Sequence, residues 1–253
     1  IKLKHATLTA FGSTRRPNIK AEEDMNLKAL LSAGTSAVAV FGKSWDFHVT
    51  DILRTTLEEN LQMIYDTILY LKNHGKEVIF DAEHFFDGYK ANPYYALKTL
   101  EIAADAGADW LILCDTNGGT FPMEIADITK RVCEQFKVSI GIHCHNDGGM
   151  AVANSVMAVE HGAVQVQGTF NGYGERCGNA NLCTIIPNLQ IKRGKICIPE
   201  DKMKELTPVS RYISELANLP HDERQPYVGN SAFAHKGGMH IDAVQKNSSS
   251  FEH

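Results

Sequence analysis

What this sequence lacks narrows it first. None of its six cysteines (Cys114, Cys133, Cys144, Cys177, Cys183, Cys197) pairs with another at C-x-x-C spacing. Several sit in apolar segments, so they read as reduced thiols of a cytoplasmic protein. No apolar run approaches the ~20 residues that a membrane helix needs, and no signal peptide opens the chain. No basic tract occurs either: 25 Lys and Arg stand against 30 Asp and Glu, a net charge of -5. Nucleic acid and membrane are set aside as partners on that ground. The glycine fingerprint G-x-G-x-x-G is also missing. The nearest stretch, Gly172-x-Gly174-x-x-x-Gly178, has the wrong spacing and comes late. Its absence argues against an open dinucleotide-binding sheet.

What is present is an ordinary globular composition, 43% hydrophobic and 22% charged over 253 residues, enough for a sizeable core. One unit recurs along the chain: strand, loop, helix, glycine, strand. Strands are predicted at residues 5–11, 36–41, 77–82, 109–114, 140–145 and 164–169. Helices are predicted at 21–33, 56–73, 94–106, 122–136, 150–161 and 180–191. Gly34, Gly75, Gly107 and Gly162 close four of these helices. Residues 84–88 read as a loop. Apolar strands alternating with helices imply a parallel sheet buried on both faces. After Ile191 the pattern breaks into a connector, one or two short helices and a loop-rich stretch.

Polar residues gather where the strands end: Glu83, Asp115, Thr116, His143, His145, Thr169 and Asn171. In a barrel every strand opens at its carboxyl end onto one shared site. The expected fold is therefore an α/β (β/α)8 TIM barrel. It is partial, lacking the first two βα units, with a small C-terminal α-rich subdomain. The expected division is a catalytic barrel over 1–192, holding strands three to eight, then a linker and the start of a small helical subdomain over 193–253. Both ends read as cut, since the chain opens on Ile1 and stops without a cap.

The stretch Ile140 to Asp147 carries the chemistry. His143 and His145, two apart on a strand, point the same way with α-carbons roughly 6.5–7 Å apart. Both imidazoles can reach one divalent cation. The plain alternative is two hydrogen-bonded loop histidines. Asn179 offers an amide oxygen as a further ligand, or an N-cap for the next helix. Glu83 offers an acid/base group or a solvated loop carboxylate. Thr116 can hold a carboxylate or simply make a turn. Arg15 and Arg16 can bind an anion or lie ion-paired on the surface.

Six segments then resemble the acyl-CoA-condensing family of α-isopropylmalate, homocitrate and citramalate synthases. They are Gly12 to Arg16 (GSTRR), Ala82 to Gly88 (AEHFFDG), Asp115 to Gly118 (DTNG), His143 to Asp147 (HCHND), Gly172 to Asn179 (GYGERCGN) and Phe233 to His240 (FAHKGGMH). The first two look most like the citramalate synthase branch. The resemblance implies a Claisen-type condensation of acetyl-CoA with an α-keto acid, pyruvate in that branch, within branched-chain amino-acid biosynthesis. It implies a divalent metal (Zn, Mn or Mg) on His143, His145 and Asn179. It implies that Thr116 binds the keto acid's carboxylate, that Glu83 is catalytic, and that His240 serves acetyl-CoA deprotonation. A cytoplasmic homodimer is implied too. The family's D-T-T-L-R-D-G-like segment, source of an Asp ligand and an Arg, has no match in this chain. The expected site is therefore incomplete, and the chain alone inactive. A metal-dependent acyl-CoA aldol lyase on the same scaffold, a metal hydrolase and a non-catalytic binding fragment are the competing readings.

Overall fold

The computed structural model describes residues 3–247 and Ser250. The readings placed on Ile1, Lys2 and the final residues fall outside the described residues. The chain packs as two compact units. One comprises the chain as far as Gln167 together with Arg176–Ala180; the other comprises Gly168–Glu175 and the chain from Asn181 onward.

The first unit is built on six strands: β1 Thr9–Ser13, β2 Ala37–Lys43, β3 Glu77–Glu83, β4 Trp110–Asp115, β5 Ser139–Cys144 and β6 Gln165–Gln167. Each pairs in parallel with the next in sequence, and none is skipped. That is the order of a barrel wall; a doubly wound sheet reverses direction part-way. The connections carry α1 Met25–Ser32, α2 Leu57–Asn73, α3 Phe85–Ala91, α4 Pro93–Asp105, α5 Pro122–Gln135 and α6 Ala151–Glu160. The wall is curled. Flat, β3 and β6 would stand about 14 Å apart. Instead the Gln167 Nε2 donates to Asp81 Oδ1 at 2.9 Å. The expected partial (β/α)8 barrel is what forms, six strands of the eight in a closed one.

Register sorts the side chains into two faces, because partners in a parallel sheet point the same way. One set, including Val38, Val78, Phe80, Leu111, Leu113, Ile140 and Ile142, is wholly or almost wholly buried. The other begins apolar, as a small core of Ala39, Ile79, Ile112 and Cys114 with Trp110 against it. Toward the strands' carboxyl ends that same face turns polar, with Asp81, Glu83, His143 and Gln167.

Local chemistry explains the helix ends. Asp24 accepts from the backbone N–H groups of Asn26 and Leu27 to start α1, and Thr56 accepts from that of Glu59 to start α2. Pro93 and Pro122 open α4 and α5 with φ already set. Gly34, Gly75, Gly107 and Gly162 take φ from +69° to +112°, the left-handed conformation that ends a helix cleanly.

Three segments differ from the sequence-based expectation. The predicted loop at 84–88 begins α3, because Phe85 and Phe86 bury completely and hold it down. Gly88 masks that helix in the sequence, yet a Cβ there would lie 2.2 Å from the Ser44 carbonyl oxygen. β1 sits later than predicted, pairing Ser13 with Phe41. The last strand is only three residues long.

The second unit holds α7 Leu182–Pro187, α8 Leu206–Leu216 and α9 Gly238–Lys246. Cys183, Leu206 and Val228 form its core, with Phe170, Ile186, Met203 and Tyr227 packed on it. Asn171, at φ +63°, ties this unit together: its amide donates to the Ser210 carbonyl at 2.9 Å and its oxygen accepts from Ser210 Oγ at 2.6 Å. Among the described residues, no helix is long and apolar enough to cross a membrane.

Candidate active site

The candidate site residues of the first unit lie at or just past the carboxyl ends of its strands. On β5, the side chain of Cys144 turns outward and is fully buried, while His143 and His145 turn to the other face. Their ring centroids lie 5.2 Å apart with planes at 37°. Two imidazoles sharing a tetrahedral ion at ~2.0–2.1 Å put their centroids about 5 Å apart, so the pair fits a common cation.

His145 stands one residue past the strand and forms an antiparallel bridge with Asn179. Backbone bonds on either side lock it: Asn146 N–H to Gly178 O at 2.9 Å and Ala180 N–H to Cys144 O at 3.0 Å. The following helix, α7, is capped by Asn181 and not by Asn179. The N-cap alternative for Asn179 therefore falls away. Two imidazole nitrogens and an amide oxygen would form a donor set suited to a borderline divalent ion. Among the described residues, no three His, Cys, Asp or Glu side chains cluster to hold a metal. The donors that stand together among the described residues are therefore His143, His145 and the amide of Asn179.

Glu83 ends β3, directly beside Lys43 at the end of β2. Lys43 Nζ meets Glu83 Oε2 at 2.5 Å. Thr116 follows β4, where its Oγ1 accepts from the His84 N–H at 2.8 Å. Its hydroxyl is thereby aimed, with its own hydrogen still to give. Arg176 clamps this rim. Its Nε and Nη2 grip both carboxylate oxygens of Asp147 at 2.7 and 2.9 Å, and Nη2 also reaches the Thr116 carbonyl at 2.7 Å. The Arg176 guanidinium holds the Asp147 carboxyl below its ordinary range. A Cβ on Gly118 would lie 2.8 Å from both Asp147 N and His145 O, so only glycine lets these two loops meet.

Glu83, Thr116, His143, His145 and Asn179 thus stand in one unit at neighbouring strand ends. His240 lies in the second unit, exposed on α9, its ring 6.2 Å from that of His235. Asp115, grouped by sequence with the strand-end residues, faces the helices instead: it is fully buried and accepts from Thr120 Oγ1 at 2.8 Å. Burial holds its carboxyl above the ordinary range. Arg15 takes the ion-paired alternative, buried between Glu59 and Asp66 at 2.7 and 2.8 Å.

Two residues of the site escaped the sequence reading. Gln167 Oε1 accepts from His143 Nδ1 at 2.8 Å, and Asp81 accepts from the other end of the same amide. Asp81 is almost wholly buried, and desolvation pushes its carboxyl up to about 6 against the opposing pull of Gln167 and His143. The available signals were a carboxylate inside an apolar strand and a strand reading Gln-Val-Gln.

Comparison with known proteins gives the chain's family. The HMGL-like family profile matches residues 2–213. The chain is 61% identical over 254 residues to the (R)-citramalate synthase of Aquifex aeolicus, covering all of this chain and 48% of that protein. It is 58% identical over 259 residues to the (R)-citramalate synthase of Synechocystis, covering 99% of this chain and 47% of that protein. It therefore spans about half the length of the curated relatives it matches. Its fold superposes on the HMG-CoA lyase of Bacillus subtilis with a TM-score of 0.70, at 20% identity, covering 87% of this chain and 73% of the lyase.

Proposed function

This chain belongs to the HMGL-like family, and on that premise we propose that it carries the site of an acetyl-CoA-dependent acyltransferase that condenses acetyl-CoA with pyruvate to give citramalate. The observation that carries the reading is the pairing of His143 with His145 on the rim that also bears Glu83, Thr116 and Asn179. The chemistry is a carbon–carbon bond formation. A base removes a proton from the acetyl methyl group, and that carbon attacks the ketone carbon. The C=O π pair moves onto oxygen, which takes up a proton. Water then cleaves the thioester, releasing the CoA thiol and leaving a second carboxylate.

A divalent ion held by His143, His145 and Asn179 would supply Lewis-acid polarisation of the ketone, worth several kcal/mol to the developing negative charge. Zinc and manganese suit this nitrogen-rich set better than magnesium. The other roles belong to the chain. The Thr116 hydroxyl donates to the keto acid's carboxylate. Glu83, fixed by Lys43, acts beside the reacting carbons. His240 takes the methyl proton, a role that rests on the resemblance of the segment Phe233 to His240. A cytoplasmic homodimer goes with the same reading.

The test is CoA thiol release by the intact protein with pyruvate, 2-ketobutyrate, 2-ketoisovalerate and 2-ketoglutarate, before and after chelation. Pyruvate is expected to give the highest kcat/KM, with activity lost to the chelator and restored by zinc or manganese. Thiol release that is independent of added keto acid would sink the reading, and so would cleavage of a hydroxyacyl-CoA without condensation.

A further inference from the structure

The side chains of Asp81, Gln167 and His143 make one hydrogen-bonded line across the barrel's inner face, from β3 to β6 and back to β5. A primary amide has a donor end and an acceptor end. An ionised carboxylate only accepts, so Asp81 forces the NH2 end of Gln167 toward itself. The amide oxygen must then face His143. An oxygen there can only accept, so His143 Nδ1 must carry the hydrogen. In a neutral imidazole that leaves the lone pair on Nε2.

We propose that Gln167, itself aligned by Asp81, is a positioning residue that holds His143 in its Nδ1–H tautomer and so presents Nε2 to a divalent ion. The proposal rests on His143 being a metal ligand and adds the device that sets its affinity. A ligating histidine whose second nitrogen is anchored by a hydrogen bond binds its metal more tightly, and loss of the anchor typically costs roughly 10–100-fold in affinity. The anchor here is unusual in reach. Residues 81 and 167 lie far apart in sequence and three strands apart in the wall, and only the curl of the sheet lets them touch.

The experiment has two readouts on the intact protein. Long-range 1H–15N spectra of the metal-free, 15N-histidine-labelled protein report the tautomer, with His143 assigned by its loss in His143→Gln. The Nδ1–H form is expected in the wild type, and a shift toward Nε2–H in Gln167→Leu. Competition titration with zinc then gives Kd. Gln167→Leu and Asp81→Leu are expected to weaken zinc roughly 10–100-fold. Asp81→Asn, whose Oδ1 can still accept from Gln167, should stay within about threefold, since the anchor survives. An Nε2–H tautomer in the metal-free wild type overturns the proposal without recourse to any variant. An unchanged Kd in Gln167→Leu, with binding abolished in His143→Gln, also overturns it and leaves the ligand assignment standing. An unchanged Kd in His143→Gln overturns both.

Discussion

Lys43 and Glu83 are register partners at the carboxyl ends of β2 and β3, and their side chains close a salt bridge of 2.5 Å. Each side chain is about one-fifth exposed, enough to meet a substrate and too little for water to orient it. The ammonium therefore sets where the carboxylate points. Glu83→Gln keeps the shape and removes the charge. It is expected to slow CoA thiol release by roughly 10²–10⁴-fold, the usual worth of a positioned acid/base group. Lys43→Met should slow it less, because the carboxylate remains and only its orientation loosens. Initial rates at saturating pyruvate, with circular dichroism to verify folding, decide it. A Glu83→Gln enzyme of full activity would remove Glu83 from the chemistry.

Thr116 makes a different prediction because its hydroxyl already accepts from the His84 N–H. The hydrogen left to donate suits an anionic carboxylate. A hydrogen bond to a charged group is worth about 1.5–3 kcal/mol, or roughly 10–100-fold in binding. Thr116→Val should raise KM for pyruvate by that factor with zinc affinity unchanged, and Thr116→Ser should restore it. If Thr116→Val weakens zinc instead, the residue serves the metal and not the carboxylate.

Much of this was legible because the signals are local. His143 and His145 declare a shared face through strand alternation alone, and Gly34, Gly75, Gly107 and Gly162 mark the helix-to-strand junctions through the backbone they permit. The repeat of strand and helix then gives a barrel wall. The parts that stayed hidden depend on contacts distant in sequence. Gln167 looks like a poor strand residue until the curl brings it to Asp81. Asp115 and Glu83 are alike as strand-end carboxylates, but Asp115 lies one residue past the position level with Glu83, so strand alternation sends it to the helices and Glu83 to the rim. Helix α3 was masked by Gly88, whose missing side chain answers a backbone passing from another loop. For Arg15 the sequence left an anion site and an ion pair both open, because its two carboxylate partners lie far along the chain on the long helix α2.

That Arg15 cluster is a stability device, and acid should unmake it. The guanidinium is almost wholly buried, while Glu59 and Asp66 keep a quarter to a third of their exposure. Arg15→Met strands two carboxylates that water can partly reclaim, so the cost should be about 2 kcal/mol, below the 3–5 of a fully buried pair. The hydrogen bond from Arg15, the largest influence on it, holds the Glu59 carboxyl below its ordinary range. A depressed acid stabilises the fold above its unfolded pKa and loses that contribution as pH falls through the folded value. The gap between wild type and Arg15→Met in urea midpoint should therefore narrow from pH 7 to pH 3. A gap that is constant with pH would make the arginine's contribution one of packing alone.

Asp81 should show the opposite sign. Burial pushes its carboxyl up to about 6 from 3.8, against the opposing hydrogen bond of Gln167 and the nearby His143. An acid whose pKa is raised by folding holds its proton more tightly in the native state than in the unfolded one. Stability then falls as pH rises from the unfolded value toward the folded value, and levels off above it. A rise of about two units corresponds to roughly 3 kcal/mol. Asparagine does not titrate, so Asp81→Asn should gain on the wild type by up to that amount between pH 4 and pH 7. Urea unfolding of both proteins across this range, in chelator so that no metal contributes, measures the difference directly. A gap that stays flat would mean Gln167 and His143 fully compensate the buried charge. A gap that moves against asparagine as pH rises would mean the ionised carboxylate stabilises the fold, with its alignment of Gln167 counting for more than its desolvation.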